Sequence, residues 1–145
     1  MITMIEFPVD LSQDEDGAWV AVFPDVPGCA TDGFSRAEAL TEAADALSEA
    51  LARMIVLAEM PPQPSAAVGR PMVAPVPHIA AKFALYRAMR AQGIDRSELA
   101  RRMGRTPAEV ARILDPKAKT GLLNLQAAFA AVGVRVVLSV SDQAA

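Results

Sequence analysis

The spacing of hydrophobic and polar positions changes several times along this chain. In "ITMIEFPV" (2–9), Thr3, Ile5, Phe7 and Val9 fall on one side of a period-two pattern, with Ile2, Met4 and Glu6 on the other. That alternation predicts a strand. "LSQDEDG" (11–17) predicts a turn and "AWVAVF" (18–23) a second strand, so the two are expected to form an antiparallel hairpin. "PDVPG" interrupts with two prolines and a glycine, and "CATDG" (29–33) predicts a short third strand.

At Ser35 the period lengthens. Ser35 and Glu38 stand at capping-box spacing, and Leu40, Ala44, Leu47, Leu51, Met54 and Ala58 recur at steps of four and three. This predicts a helix ending near Met60, before Pro61 and Pro62. Residues 61–77 hold six of the eleven prolines. They read either as a plain linker or as a loop with one short strand, "MVAPV" (72–76), returning to the first sheet. The apolar Met72, Val73 and Val76 favour the strand, and Pro75 restricts it to an edge.

From Ile79 the pattern is helical again, through Phe83, Tyr86, Arg87 and Arg90, with a stop at Gly93. Two short helices follow inside "SELARRMGRTPAEVARIL" (97–114), then a helix in "LLNLQAAFAAVG" (122–133). "VRVVLSV" (134–140) predicts a terminal strand with Val134, Val136, Leu138 and Val140 on one face. The expected fold class is α+β: a β-β-β-α-β domain over residues 1–77, then a helical domain with a terminal strand over residues 78–145.

Charge sharpens that division. The net charge is −3 over 145 residues. Residues 1–70 carry twelve acids and three bases, a net −9, whereas residues 71–145 carry eleven bases and five acids, a net +6. Two oppositely charged halves suggest two differently charged partners. With 52% hydrophobic residues the chain can build its cores. It has no uninterrupted apolar run of about 18 residues, so no membrane span is expected. No basic segment precedes a long apolar one at the N-terminus, and a cytoplasmic location is expected.

The two short helices carry the most specific local signal. Asp95 with Glu98, and Thr106 with Glu109, are spaced as capping boxes, and Pro107 occupies the favoured first helical position. Ala100 is small where a second helix must cross, and Gly104, four residues on, suits a turn of positive φ. Val110 and Ile113 face back into the crossing. This stretch resembles a helix-turn-helix of the phage-repressor type, flanked by helices 79–92 and 122–132. Arg101, Arg102, Arg105, Arg112, Lys117 and Lys119 cluster around it as candidate phosphate contacts. Thr106, Ala108, Ala111 and Arg112 are expected on the outward face of the second helix, with Arg112 able to read a guanine edge.

The acidic half, with its motif "FPDVPGCATDG" (23–33), capped helix and proline-flanked strand, resembles the HicB antitoxin family. That resemblance implies a truncated ribonuclease H-like first domain that binds a small basic HicA-type toxin, an mRNA-cleaving enzyme. It also implies a second domain that binds the operon's own promoter DNA. Asp14, Asp16, Asp25 and Asp32 are the candidate partners for toxin lysines.

Catalysis by this chain itself is not expected. A ribonuclease H site needs carboxylates from several elements converging on magnesium. Here Asp10 lies near the end of the first strand, Glu42, Asp45 and Glu49 lie on one helix, and "MVAPV" supplies no acid. One cysteine, Cys29, and one histidine, His78, make neither a metal site nor a nucleophile with its base. No catalytic residue, metal or cofactor is therefore expected. The competing class is a one-component transcription regulator whose acidic domain senses a small molecule. The terminal strand has no strand partner in its own half, so pairing with a second chain, giving a homodimer or a higher homo-oligomer, is expected.

Overall fold

A computed structural model describes residues 2–142. The elements run β1 (Phe7–Pro8), β2 (Asp10–Gln13), β3 (Trp19–Val22), β4 (Ala30–Gly33), α1 (Arg36–Val56), β5 (Met72–Val73), α2 (Pro77–Gln92), α3 (Arg96–Met103), α4 (Pro107–Leu114) and α5 (Leu122–Ala131). It is a mixed α+β arrangement with the strands in the first half. None of the helices among the described residues is long and apolar enough to cross a membrane.

The first extended stretch serves two ladders. β1 pairs antiparallel with β5, Phe7 opposite Val73, and β2 pairs with β3, Asp10 opposite Val22. At the junction Pro8 has no N–H to give, and the Val9 amide donates to the Pro71 carbonyl. The expected turn over 11–17 is therefore too long: residues 10–13 are strand, and the turn occupies only 14–17. Only Leu11 of β2 is partly buried while Asp10, Ser12 and Gln13 face water. A strand at a sheet edge with one wet face has little apolar alternation to show. β3 in turn pairs with β4, Trp19 opposite Gly33, giving a sheet ordered β2-β3-β4. "MVAPV" does return to the first domain, but only Met72 and Val73 form a ladder.

α1 packs across β3 and β4. The Ser35 hydroxyl accepts from the Glu38 amide, while the Glu38 carboxylate accepts from the Phe34 amide, one residue before the cap. Ala43, Leu47 and Leu51 are fully buried beneath it. The helix stops at Val56, short of the expected Met60. Ala58 adopts φ +53, and the Glu59 amide returns to the Met54 carbonyl, so a left-handed residue ends the helix before the prolines do.

α2 joins the halves. The Val76 amide, at its N-cap, donates to the Ser48 hydroxyl on α1. Phe83 meets Phe7 edge-on with ring centroids 6.4 Å apart, and Tyr86 donates to the Glu59 carbonyl. Burying side chains of this size stabilises by roughly 1.5–3 kcal/mol each, and one buried core takes in residues of the sheet, α1, α2, α3, α4 and α5. Gly93 and Gly104 end α2 and α3 in the left-handed region, at φ +67 and +64.

The terminal strand expected over 134–140 does not form in this chain. After Gly133 the Val134 amide returns to the Phe129 carbonyl, and the residues that follow, through Asp142, take part in no ladder. All of 134–140 is exposed, Leu138 at 74% and Val140 at 87%. A strand is defined by its partner, and among the described residues no strand pairs with this segment.

Candidate functional site

The candidate acids and the candidate cations sit on different elements, the acids around the sheet and the cations around α3, α4 and the loop after α4. On the acidic side, sheet register brings three of the four candidate aspartates together. Gln13, Trp19 and Gly33 lie in one row across β2, β3 and β4. Asp14 and Asp16 in the hairpin turn, and Asp32 beside Gly33, are therefore at the same end of the sheet, all exposed. The Asp14 carboxylate shapes the turn by accepting from the amides of Asp16 and Ala18, both at 2.9 Å. Asp25 is at the opposite end, between Val22 and Ala30. Its carboxylate accepts from the amide and the hydroxyl of Ser65, pinning the proline-rich loop. Asp10 pairs with Arg70 at 3.3 Å.

Cys29, in the same motif, is buried, and burial pushes its thiol up, with Arg53 opposing weakly. A raised thiol holds little thiolate at neutral pH.

On the basic side, α3 and α4 are set by their caps. Asp95 accepts from the Glu98 amide at 2.8 Å. The expected reciprocal bond is missing, because Glu98 instead takes Arg101 at 2.6 Å and Arg102 at 2.9 Å. Those two guanidiniums hold its carboxyl down at about 2. At α4 the box is complete: Thr106 accepts from the Glu109 amide, and Glu109 accepts from the Thr106 amide. Val110, Ile113 and Leu114 are buried, whereas Ala108, Glu109 and Arg112 face outward and Ala111 is half-buried.

The six candidate cations are not equivalent. Arg101 and Arg102 share one acid, and Arg102 also donates to the Ala131 carbonyl. Arg105 donates to the Asn124 side chain at 2.9 Å, which fixes its guanidinium at the turn. Arg112, Lys117 and Lys119 are exposed and form no ion pair among the described residues. Of these six, the ones with neither an ion pair nor a side-chain hydrogen bond among the described residues thus lie at the C-terminal end of α4 and in the loop after it.

Lys82, in the sequence one of the eleven bases of residues 71–145, is absent from the six candidate cations. Its side chain is fully buried, and its ammonium donates to the carbonyls of Arg112, Asp115 and Ala118. Burial lowers its pKa, with the Asp115 charge opposing that shift. Its position between Ile79 and Phe83, on the apolar stripe of α2, was the available signal.

A family model for the HicB-like antitoxin of bacterial toxin–antitoxin systems matches residues 6–82. Antitoxin HicB 1 of Photorhabdus laumondii is 33% identical over 97% of this chain and 90% of its own length. Antitoxin HicB 2 of the same organism is 34% identical over 92% of this chain and 95% of its own. Antitoxin HicB of Escherichia coli is 31% identical over 92% and 98%. The likeness thus runs through both the acidic sheet and the basic helices, and the chain belongs to the HicB-like antitoxin family.

Proposed function

We propose that this chain is an antitoxin that binds and neutralises a small basic mRNA-cleaving toxin of the HicA type and represses its own operon by binding the promoter. Residues 1–77, read as a truncated ribonuclease H-like domain, take the toxin. Residues 78–145 take DNA, with α3 and α4 acting as a helix-turn-helix. The observation that carries this reading is the segregation of charge within a family of antitoxins. Exposed Asp14, Asp16 and Asp32 gather at one end of the sheet, and unpaired Arg112, Lys117 and Lys119 gather at the end of α4. Opposite charge steers each partner to its own face and repels it from the other.

Asp25 has a different part in this scheme. With its carboxylate engaged by Ser65 it holds the loop, and toxin contact falls to the other three aspartates. The exposed segment 134–140 supports a homodimer closed by strand pairing between two chains.

The test uses the full chain and the product of the adjacent reading frame. Co-elution of the two, arrest of RNA cleavage, and a gel shift on DNA from upstream of the operon are expected. A chain that neither binds its neighbour's product nor retards that DNA would overturn the proposal.

A further inference from the structure

We infer that Lys82 is a positioning residue for DNA contact, its buried ammonium clamping the carbonyls that end α4 and so setting where Lys117 and Lys119 meet the phosphates. This role rests on the DNA-binding reading proposed above. Lys82 is 0% exposed and faces no buried carboxylate; its three donors meet three backbone carbonyls, those of Arg112 at 3.4 Å, Asp115, and Ala118 at 2.7 Å. Two of these, Arg112 and Asp115, end α4, where the helix carries partial negative charge; each also accepts one backbone amide, from Asp115 and Ala118 respectively, and the ammonium takes up their remaining capacity. The third is in the loop itself. The Asp115 side chain takes the Lys117 amide at 2.9 Å and is not part of the clamp.

A second bond from the same face of α2 reaches the same loop. His78, one turn before Lys82, donates through Nε2 to the Ala118 carbonyl at 3.0 Å. Two side chains of α2 therefore converge on the carbonyl between the two candidate phosphate lysines. α2 is itself seated by Phe7 against Phe83 and by Ser48 at its N-cap, so the loop takes its position from the rigid core. A buried ammonium is costly unless its hydrogen bonds are all made, and a methionine would fill the same volume without fixing any carbonyl. What lysine adds at this position is registration of the loop.

The test is Lys82→Met in the full chain, with hydrogen exchange of the free protein and DNA binding over a range of salt. The amides of Lys117 and Ala118 are expected to exchange faster than in the wild type. On a duplex cut from the DNA upstream of the coding sequence, the slope of log K against log salt should flatten by about 1.8, the loss of two phosphate contacts. Adding Lys117→Ala and Lys119→Ala to Lys82→Met should change the slope no further, although the same pair flattens it in the wild type. His78→Ala, at an exposed position, should speed the same amides to a smaller degree. Where Lys82→Met does not fold, Lys82→Gln, which keeps a donor but loses the charge and the reach, is measured instead, and unchanged exchange at Ala118 in it would overturn the clamp. Wild-type binding with an unaltered slope in Lys82→Met overturns the positioning role alone. A wild-type chain that binds no duplex overturns the DNA-binding reading, and the phosphate role with it.

Discussion

Gly33 lies so close to the first turn of α1 that a methyl group on its Cα would stand 2.6 Å from the backbone nitrogen of Ala39. The obstacle is backbone, which cannot rotate away, and Gly33 is also paired with Trp19 in the sheet. Gly33→Ala should therefore push α1 off β4 and destabilise the fold by about 1–3 kcal/mol. Chemical denaturation of the two proteins checks this through the shift in midpoint, and an unshifted midpoint would mean that helix and strand part freely.

Glu98, held by Arg101 and Arg102, gives a prediction in pH. Its folded carboxyl lies at about 2 against an ordinary 4.5. A depressed carboxyl contributes stability that is fully present above the unfolded value and is lost as pH falls through the folded one. The contribution should therefore fade between pH 4.5 and 2. An NMR titration of the Glu98 side chain should place its midpoint near 2, and Arg101→Ala with Arg102→Ala should return it towards 4.5. A Glu98 midpoint near 4.5 in the unaltered protein would show that the guanidiniums do not hold it.

Much of this fold is legible because local chemistry announces it. Ser35, Asp95 and Thr106 mark three helix starts by their own side-chain bonds, and Gly93 and Gly104 mark two stops by the one conformation they alone adopt freely. Other features depend on distant neighbours. β2 escaped notice because an edge strand with one wet face carries polar residues wherever it is not packed. Glu98 has the spacing of a capping residue, and only the adjacent guanidiniums decide that its carboxylate turns to them. Asp25 and Asp32 look alike in one motif, yet Ser65, forty residues away in sequence, engages the first and leaves the second open. Lys82 is the extreme case, since a buried and an exposed lysine share a letter.

Arg112 and the two loop lysines should separate in their effect on DNA. Arg112 stands on the outward face of α4, whereas Lys117 and Lys119 follow its end. On the proposed reading, Arg112→Ala relaxes base preference at a cost of about 1–3 kcal/mol, and Lys117→Ala or Lys119→Ala weakens all sequences alike and flattens the salt dependence. Binding titrations on the operator and on a scrambled duplex distinguish the two. Full operator preference in Arg112→Ala would reduce Arg112 to a phosphate contact.

Removing residues 134–145 should give a monomer in sedimentation and abolish most operator affinity while toxin binding survives. The expectation rests on the exposed, unladdered run at 134–140. Paired with its copy, that strand would set two α4 helices roughly 34 Å apart, on successive major-groove faces of a pseudo-palindromic site. A truncated chain that still dimerised and bound its operator normally would assign the segment to its own chain.

The edge-on contact of Phe7 and Phe83 has a bearing on how this protein is destroyed. A protease acting on transiently opened chains works through whatever unit opens together, and one buried core takes residues from both sides of residue 77. An opening that draws Phe83 away would uncover the part of Phe7 that it packs against. If the acidic end guards against a toxin and the basic end occupies a promoter, the two duties have a common lifetime. One degradation event would then release the toxin and the operon at the same moment, and neither could be relinquished alone.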